Sequence, residues 1–256
     1  MLSTIIDILQ LPTRCLLNKK ITKAFFKRNF DLTIAEKSLL DKQIVGIDWL
    51  ASLSAENINV PSYLNEDITY EEVQMITVSY FGDNFVTDHF KIAELIHKHI
   101  PYAILLCIYN DEQMVWSTFD KRINQKDTNK RIIAKRHFTE VIPIQERTAL
   151  QQDFLNSLAF SELRKTNLYE LYNSFAERIF ALQASNLNST FTLRTKSRTQ
   201  QDMLSLEKIA RLQQEIEILS NTAKKETQLN KQVNLNLQIQ NKRLEMAQLK
   251  LQIVSE

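Results

Sequence analysis

Between residues 20 and 52, apolar side chains recur every three or four positions, and this spacing predicts two amphipathic helices. The first helix is expected over residues 20–30. Thr33 and Glu36 have the spacing of a capping box at the start of the second helix, which is expected to end near residue 52. The apolar stripe of the second helix contains Leu39, Leu40, Ile44, Ile47 and Leu50.

A different pattern follows in the middle of the chain. In residues 73–80 apolar and polar side chains alternate and β-forming residues are frequent, which predicts a strand. In residues 88–100 the apolar side chains have helical spacing. Residues 102–109 are almost continuously apolar, which is typical of a strand buried on both faces. A turn leads into a strand over residues 114–119, and residues 138–144 are expected to add another. The predicted fold class is α+β, with a small mixed β-sheet in the order β-α-β-β covered by helices.

Residues 144–256 contain neither proline nor glycine, which predicts helix almost throughout. Residues 148–184 are expected to form one or two amphipathic helices that close the core. The residues that follow are polar and rich in Ser and Thr, as in a linker. The predicted organisation is an α+β globular domain over residues 1–185, a polar linker over residues 186–200 and a long C-terminal coiled-coil helix over residues 201–256.

The C-terminal helix has a heptad pattern from Ile209 to Val254, and eleven of its fourteen core positions are apolar. Asn230 occupies a core position, where a polar side chain fixes register and strand number. Residues 233–240 also alternate like a strand, but their helical flanks favour helix. The predicted oligomerisation seam consists of Ile209, Leu212, Ile216, Leu219, Asn230, Val233, Leu237, Leu244 and Leu251. We expect a projecting helix that self-associates or docks; the alternative is a helix that lies back on the protein's own core.

Composition excludes several classes of enzyme. Gly46 and Gly82 are the only glycines, so the chain has no glycine-rich phosphate loop, dinucleotide-binding fingerprint or nucleophile elbow. No cofactor is therefore expected. No Ser, Cys or Lys is seen beside a base that would activate it as a nucleophile.

The two cysteines, Cys15 and Cys107, are too few for a disulfide framework, and Cys107 lies in an apolar run typical of a buried thiol. No run of about 18 uninterrupted apolar residues is present, so no membrane span is expected. The first residues carry no basic segment before their apolar positions, which disfavours a secretory signal. We expect a protein of the reducing cytoplasm.

The net charge is only +2, but the basic residues are concentrated. Residues 14–28 contain six bases and no acid, and residues 121–136 contain seven bases and one acid. Such blocks can neutralise nucleic-acid phosphates. The predicted nucleic-acid-binding residues are Lys19, Lys20, Lys23 and Lys27, on one helical stripe, and Lys121, Arg122, Lys130, Arg131, Lys135 and Arg136, in or beside a long hairpin connection. The alternative is a solvated face that pairs with the acidic residues 54–72 or with a partner protein.

A metal-dependent nuclease is the catalytic alternative. Asp67 and Glu72 flank the start of the first predicted strand, and such enzymes hold Mg²⁺ with strand-borne acids. However, Gln74 stands where a lysine is usual, and the predicted order lacks the hairpins that normally precede the crossover helix. His97 and His99 lie two positions apart on a helix, so their side chains diverge and no metal site is predicted. A non-catalytic protein is therefore favoured over an enzyme.

Several segments, taken in order, resemble one known family. They are KKITKAFF at residues 19–26, LT with EK at residues 32–37, IVGIDW at 44–49, NINVP at 57–61, EEVQ at 71–74, IPY at 100–102 and ETQLNKQVNLN at 226–236. Over nearly its whole length the chain resembles the bacterial domain-of-unknown-function 4391 family. The resemblance implies an accessory subunit encoded beside DNA methyltransferases and superfamily 2 helicases, in restriction-like or phage-defence loci. It implies no catalytic residues.

The leading hypothesis is a non-catalytic accessory or adaptor subunit of a bacterial DNA-targeting system. Its basic residues would contact DNA or a nucleic-acid-bound partner. Its C-terminal helix would form a homo-oligomer or dock on the helicase or DNA methyltransferase of the same locus. The alternatives are the metal-dependent nuclease and a purely structural protein-interaction module.

Overall fold

A computed structural model describes residues 1–254, except the side chains of residues 128, 129, 188, 196 and 200. The last two residues of the predicted C-terminal helix, 255 and 256, lie outside the described residues. The chain divides into two compact units, which we name the sheet unit, Met1–Ile179, and the helical unit, Phe180–Glu256.

Two helices of the sheet unit begin at threonine caps that the sequence supplies. Thr22 accepts a hydrogen bond from the backbone N–H of Phe25, and Thr33 with Glu36 forms the predicted capping box. The helices are α1 (Leu2–Leu9), α2 (Lys23–Asn29), α3 (Ile34–Lys42), α4 (Ala55–Ile58), α5 (Phe85–His99), α6 (Ala149–Ser157) and α7 (Leu168–Asn188), the last of which continues into the helical unit. Short 3₁₀ turns lie at Thr13–Cys15 and Phe160–Glu162.

The strands of the sheet unit are β1 (Leu16–Lys20), β2 (Ile44–Ser54), β3 (Tyr63–Leu64), β4 (Thr69–Tyr70), β5 (Glu72–Tyr80), β6 (Ala103–Tyr109), β7 (Gln113–Asn124), β8 (Asp127–Phe138) and β9 (Ile142–Pro143). Within residues 1–254, the main sheet has seven strands in the order β1-β2-β5-β6-β7-β8, with β9 paired to β7. β5 and β6 are parallel and are joined by α5, whereas the other pairs of this sheet are antiparallel. β3 and β4 form a separate two-stranded sheet.

The mixed α/β architecture is confirmed, but the sheet is larger than predicted. The second predicted helix is wrong beyond Lys42, because Ile44–Ser54 is strand β2 rather than a helical stripe. This segment pairs with β1 on one side and with β5 on the other, so non-local hydrogen bonds override its helix-like spacing. The antiparallel strands β1, β2 and β5 therefore precede the crossover helix α5, contrary to the order predicted from the sequence.

Two further predictions in the sheet unit need correction. Residues 121–136, expected as a loop connection, continue the antiparallel ladder of β7 and β8. Residues 138–144 contribute only the two-residue strand β9 beyond the end of β8.

Residues 148–184 were expected to form one or two helices. They contain α6, which ends at Ser157, and α7, which begins at Leu168.

One face of the sheet is covered by α2, α3 and α5. Phe26, Leu40 and Ile92 from these helices pack with Ile76 and Leu106 of the central strands in one buried cluster. Cys107 is buried as predicted, and burial raises the pKa of its thiol. This packing fixes the central strands and, with them, the start of the β7–β8 hairpin.

The helical unit contains α8 (Lys196–Lys225) and α9 (Leu229–Val254), joined by Glu226–Gln228. The C-terminal region is helical, as predicted, but the chain reverses after Lys225 and the two helices pack against each other. Lys208 pairs with Glu245, and Lys242 pairs with Glu215, both at 2.5 Å. Residues 233–240 are helical. No helix within residues 1–254 is long and apolar enough to cross a membrane.

The non-helical segment before α8 covers residues 189–195, which is shorter than the predicted linker. The reason is that α7 runs on to Asn188 and α8 starts early, at Lys196. Thr195 caps α8 by accepting a hydrogen bond from the backbone N–H of Arg198.

Candidate nucleic-acid interface

The β7–β8 hairpin extends past the sheet that supports it. The pairing of β6 with β7 ends at Leu105 opposite Thr118, whereas β7 and β8 stay paired as far as Asn124 opposite Asp127. The hydroxyl of Tyr172 lies where β6 and β7 separate. It accepts a hydrogen bond from the backbone N–H of Phe119 at 2.9 Å and lies 3.1 Å from the carbonyl oxygen of Ile104. Residues 119–136 are therefore a two-stranded ribbon anchored at its base.

Lys121 is the second anchor of this ribbon. Its side chain is buried, with 7% exposure, and its Nζ donates to the carbonyl oxygens of Ile100 at 2.6 Å and Tyr102 at 2.7 Å. Burial lowers the pKa of Lys121 to about 7, and the charge of Arg131 contributes to this lowering. The prediction that Lys121 binds nucleic acid is therefore corrected: this residue fixes the ribbon to the end of α5.

Arg122, Lys130 and Lys135 share one face of the ribbon; Arg122 and Lys130 are exposed, and Lys135 is half-buried. Arg122 lies opposite Ile132, and Lys135 lies opposite Asp120. Because strand residues alternate between faces, Lys130 lies on the same face as Ile132. Ala134 is the extra residue of a bulge in β8, and bulges increase local twist. Lys126 is exposed in the turn that joins the two strands.

The predicted bases Arg136, Lys130 and Arg131 differ in their surroundings. Arg136 binds Glu94 of α5 with two hydrogen bonds of 2.8 and 2.9 Å, and this pairing raises the pKa of Arg136. Lys130 lies 3.1 Å from Asp127, but its side chain is 73% exposed. Arg131 lies opposite Ile123, on the face of the ribbon that also carries Lys121.

The other basic block does not form the predicted helical stripe. Lys19 and Lys20 are exposed on β1, whereas Lys23 and Lys27 belong to α2. Lys27 pairs with Asp41 at 2.6 Å, and Lys23 donates to the carbonyl oxygen of the same residue. β1 and β8 are the two opposite edges of the main sheet, separated by five strand spacings or roughly 24 Å. The two basic blocks therefore do not merge into one surface.

The residues of the nuclease alternative fall into two places. Gln74 is buried, accepts a hydrogen bond from Trp49 Nε1 at 2.7 Å and donates to Glu72 Oε2 at 2.6 Å. Ser52 Oγ also donates to Glu72 Oε2, at 3.3 Å. Asp67 instead contacts the ribbon, where its backbone oxygen accepts from Ile123 N–H and its carboxylate from Gln125. Glu72 thus has neutral neighbours, and its carboxylate is already engaged by them.

Metal-ligand side chains are not clustered. Within the described residues, no three His, Cys, Asp or Glu side chains are grouped so that they could hold a metal ion. His97 is buried and stacks on Phe119 with ring centroids 3.9 Å apart, and burial lowers its pKa. His99 lies 3.3 Å from Glu36.

Sequence reasoning missed Tyr172 and the pair of Asp120 with His137. His137 Nε2 lies 3.2 Å from Asp120 Oδ2, on the same face of the ribbon as Arg122. The contact between Asp120 and His137 joins residues 17 positions apart on two strands, so no local spacing in the sequence indicates it. Nothing in the sequence around Tyr172 separates it from an ordinary core tyrosine.

The fold and the candidate site define a mixed α/β protein with a basic β-ribbon and a helical hairpin. Its sequence matches the family described as Domain of unknown function (DUF4391) over residues 9–246, and the chain belongs to that family. Neither the curated proteins nor the solved structures include a match to the chain.

Proposed function

We propose that this protein is a non-catalytic adaptor of a bacterial DNA-targeting system, restriction-like or anti-phage, that holds duplex DNA with its β7–β8 ribbon. The observation that carries this proposal is the ribbon face on which Arg122, Lys130 and Lys135 lie together, with Lys126 at the turn. Basic side chains spread along a ribbon suit an extended, charged phosphate backbone better than a single small anion.

The shape of the ribbon supports duplex DNA as the ligand. A two-stranded β-ribbon fits the major groove of DNA. Its strands run along the edges of the nucleobases, while flanking Lys and Arg side chains contact phosphates. Tyr172 and Lys121 anchor the ribbon at its base, so less conformational entropy is lost on binding. The exposed side chain of Ile132 offers an apolar contact on the same face.

The absence of catalysis is supported by the environment of Glu72. A nuclease needs two or more anionic ligands to hold Mg²⁺, but the contacts of Glu72 are the neutral side chains of Gln74 and Ser52. Antiparallel strands do precede α5, as the nuclease alternative requires, but within the described residues no group of three metal-ligating side chains accompanies them, which favours a binding role.

The resemblance to its family supports the choice of partners. A helicase or a DNA methyltransferase of the same locus would supply the chemistry, and this chain would hold their substrate. The helical unit is the proposed means of association, because the hydrogen bonds that anchor the ribbon are made by residues of the sheet unit.

A salt titration of duplex-DNA binding by the full chain tests the role of the ribbon. We expect the triple variant Arg122→Gln/Lys126→Gln/Lys130→Gln to weaken binding. It should also reduce the slope of log K against log salt by about 0.9 for each phosphate that the variant no longer neutralises. The control is Lys19→Gln/Lys20→Gln at the opposite sheet edge, which removes two charges instead of three and should leave affinity and slope unchanged. Absence of binding at low salt, or equal effects of both variants, would contradict the proposal.

Incubation of the same protein with plasmid and Mg²⁺ or Mn²⁺ tests the non-catalytic assignment. We expect intact plasmid with the wild type and with Glu72→Gln alike. Nicking by the wild type that is lost in Glu72→Gln would instead establish the nuclease. DNA binding would then be part of a catalytic cycle.

A further inference from the structure

Helix α9 has two apolar rows on opposite sides. The inner row faces α8, repeats every three or four residues and contains Leu235, Ile239, Met246, Leu249 and Ile253. The outer row repeats with the same period and contains Val233, Leu237, Leu244 and Leu251, which are 50%, 55%, 58% and 68% exposed. Leu237 and Ile239 are two positions apart, so their side chains point roughly 200° apart around the helix.

The packing of α8 on α9 does not use this exposed heptad row. From Val233 to Leu251 the row spans about 27 Å of helix, and its intervening core positions, Gln240 and Ala247, are exposed as well. Glu245, the one acidic residue between Leu229 and Val254, pairs with Lys208 of α8 and so lies on the side towards α8. The outer row therefore has the pattern of a coiled-coil seam whose partner helix is not in the same chain.

We propose that the outer row of α9 binds the same row of a second copy of this chain, with the two α9 helices parallel. The charges beside the row favour this partner and this direction. One flank carries Asn234, Asn241 and Gln248, and the other carries Asn236, Arg243 and Lys250. Parallel pairing sets each flank against the opposite flank of the partner copy, so that Arg243 faces Gln248.

Antiparallel pairing would set each flank against itself. Arg243 would then face a positively charged residue of the partner copy. Neither flank contains an acidic residue that would offset this repulsion. Parallel pairing also brings the two copies of Asn230 together at a core position, where paired amides satisfy each other's hydrogen bonds and fix register. A second copy thus meets both the charge pattern and the polar core position of the row.

This inference rests on the association role of the helical unit proposed above. The test is the mass of the full chain in solution, measured by light scattering over a range of concentrations. We expect the wild type at twice 30.0 kDa and Leu237→Glu/Leu244→Glu at 30.0 kDa. The matched control, Gln214→Glu/Gln238→Glu, adds the same charge at exposed polar positions of the hairpin and should remain dimeric. Equal helical circular dichroism in all three would show that the hairpin is intact.

Disulfide formation tests the direction. Cys15 and Cys107 are buried, so a cysteine introduced by Asn230→Cys is the accessible thiol among the described residues. Parallel pairing predicts a covalent dimer on mild oxidation, and Leu237→Glu/Leu244→Glu in the same chain should abolish it. A monomeric wild type, or a dimer that both double variants retain, would overturn the inference. A dimer without the disulfide would overturn the parallel direction. These results are independent of the DNA titration, which reports on the ribbon.

Discussion

Lys121 shows how a residue in a basic block can have a structural role. A neutral amine has two N–H groups, and Lys121 has two carbonyl acceptors, on Ile100 and Tyr102. A charged ammonium would bury a third N–H, and within the described residues no third acceptor is bonded to it. The geometry therefore agrees with the lowering of its pKa to about 7 by burial.

The pKa of Lys121 predicts a dependence of stability on pH. Because the folded-state pKa lies below that of the unfolded chain, the unfolded state binds more protons between pH 7 and about 10, and stability should rise with pH in that window. The upper limit is about 1.4 kcal/mol per pH unit. Urea unfolding followed by tryptophan fluorescence measures it, since Trp49 and Trp116 both lie in the sheet unit.

The control for this pH dependence is Lys121→Met, which keeps the length of the apolar stem. We expect the rise above pH 7 to be smaller in this variant than in the wild type. If the free energy of unfolding rose equally with pH in the two proteins, Lys121 would be charged in the folded state. The sequence could not predict this residue's role, because burial of a lysine depends on where β7 passes the end of α5.

At the scale of elements, the sequence predicts best where one periodicity dominates. β5, α5 and β6 were predicted within a few residues, because their patterns are unambiguous. Ile44, Ile47 and Leu50 have helical spacing, and β2 has irregular register after Ile44 and after Trp49; pairing with β1 and β5 makes this segment a strand despite the local pattern. Such non-local pairing is not encoded in a single segment.

The helical hairpin was missed for a related reason. The heptad that begins on the inner side of α8, at Ile209 and Leu212, continues in sequence through the turn at Glu226–Gln228. Reversal of the chain at that turn places the continuing positions, such as Leu244, on the outside of α9. A second heptad, which includes Ile239, then supplies the inner side.

This division of α9 predicts unequal effects of two similar substitutions. Ile239 is 7% exposed and Ile218 of α8 is 65% exposed. Ile239→Ala should cost about 2 kcal/mol and lower the hydrogen-exchange protection of α8 and α9 roughly thirtyfold. Ile218→Ala should change protection less than about twofold, because little apolar area is removed from the core. Equal losses in the two variants would mean that α8 and α9 do not pack as described.

At the scale of the whole molecule, the position of charge matters more than its sum. A net charge of +2 conceals two basic blocks at opposite edges of one sheet. Composition could indicate that both blocks exist, but the strand order that separates them follows from the long-range pairing of β1 and β8 with their neighbours. Only the β8 edge continues as a ribbon beyond the sheet, which is why the candidate interface is assigned there.

Association through α9 would give each particle two ribbons and therefore two DNA contacts. On a duplex too short for two ribbons, Leu237→Glu/Leu244→Glu should bind as tightly as the wild type, since each ribbon acts alone. On a long duplex the second contact is intramolecular, and the wild type should bind at least tenfold more tightly than the variant. Fluorescence anisotropy with both duplexes measures the difference, and Gln214→Glu/Gln238→Glu should match the wild type on each. If Leu237→Glu/Leu244→Glu weakened binding equally on both duplexes, the helical unit itself would contact DNA, and the ribbon and the hairpin would no longer have separate roles.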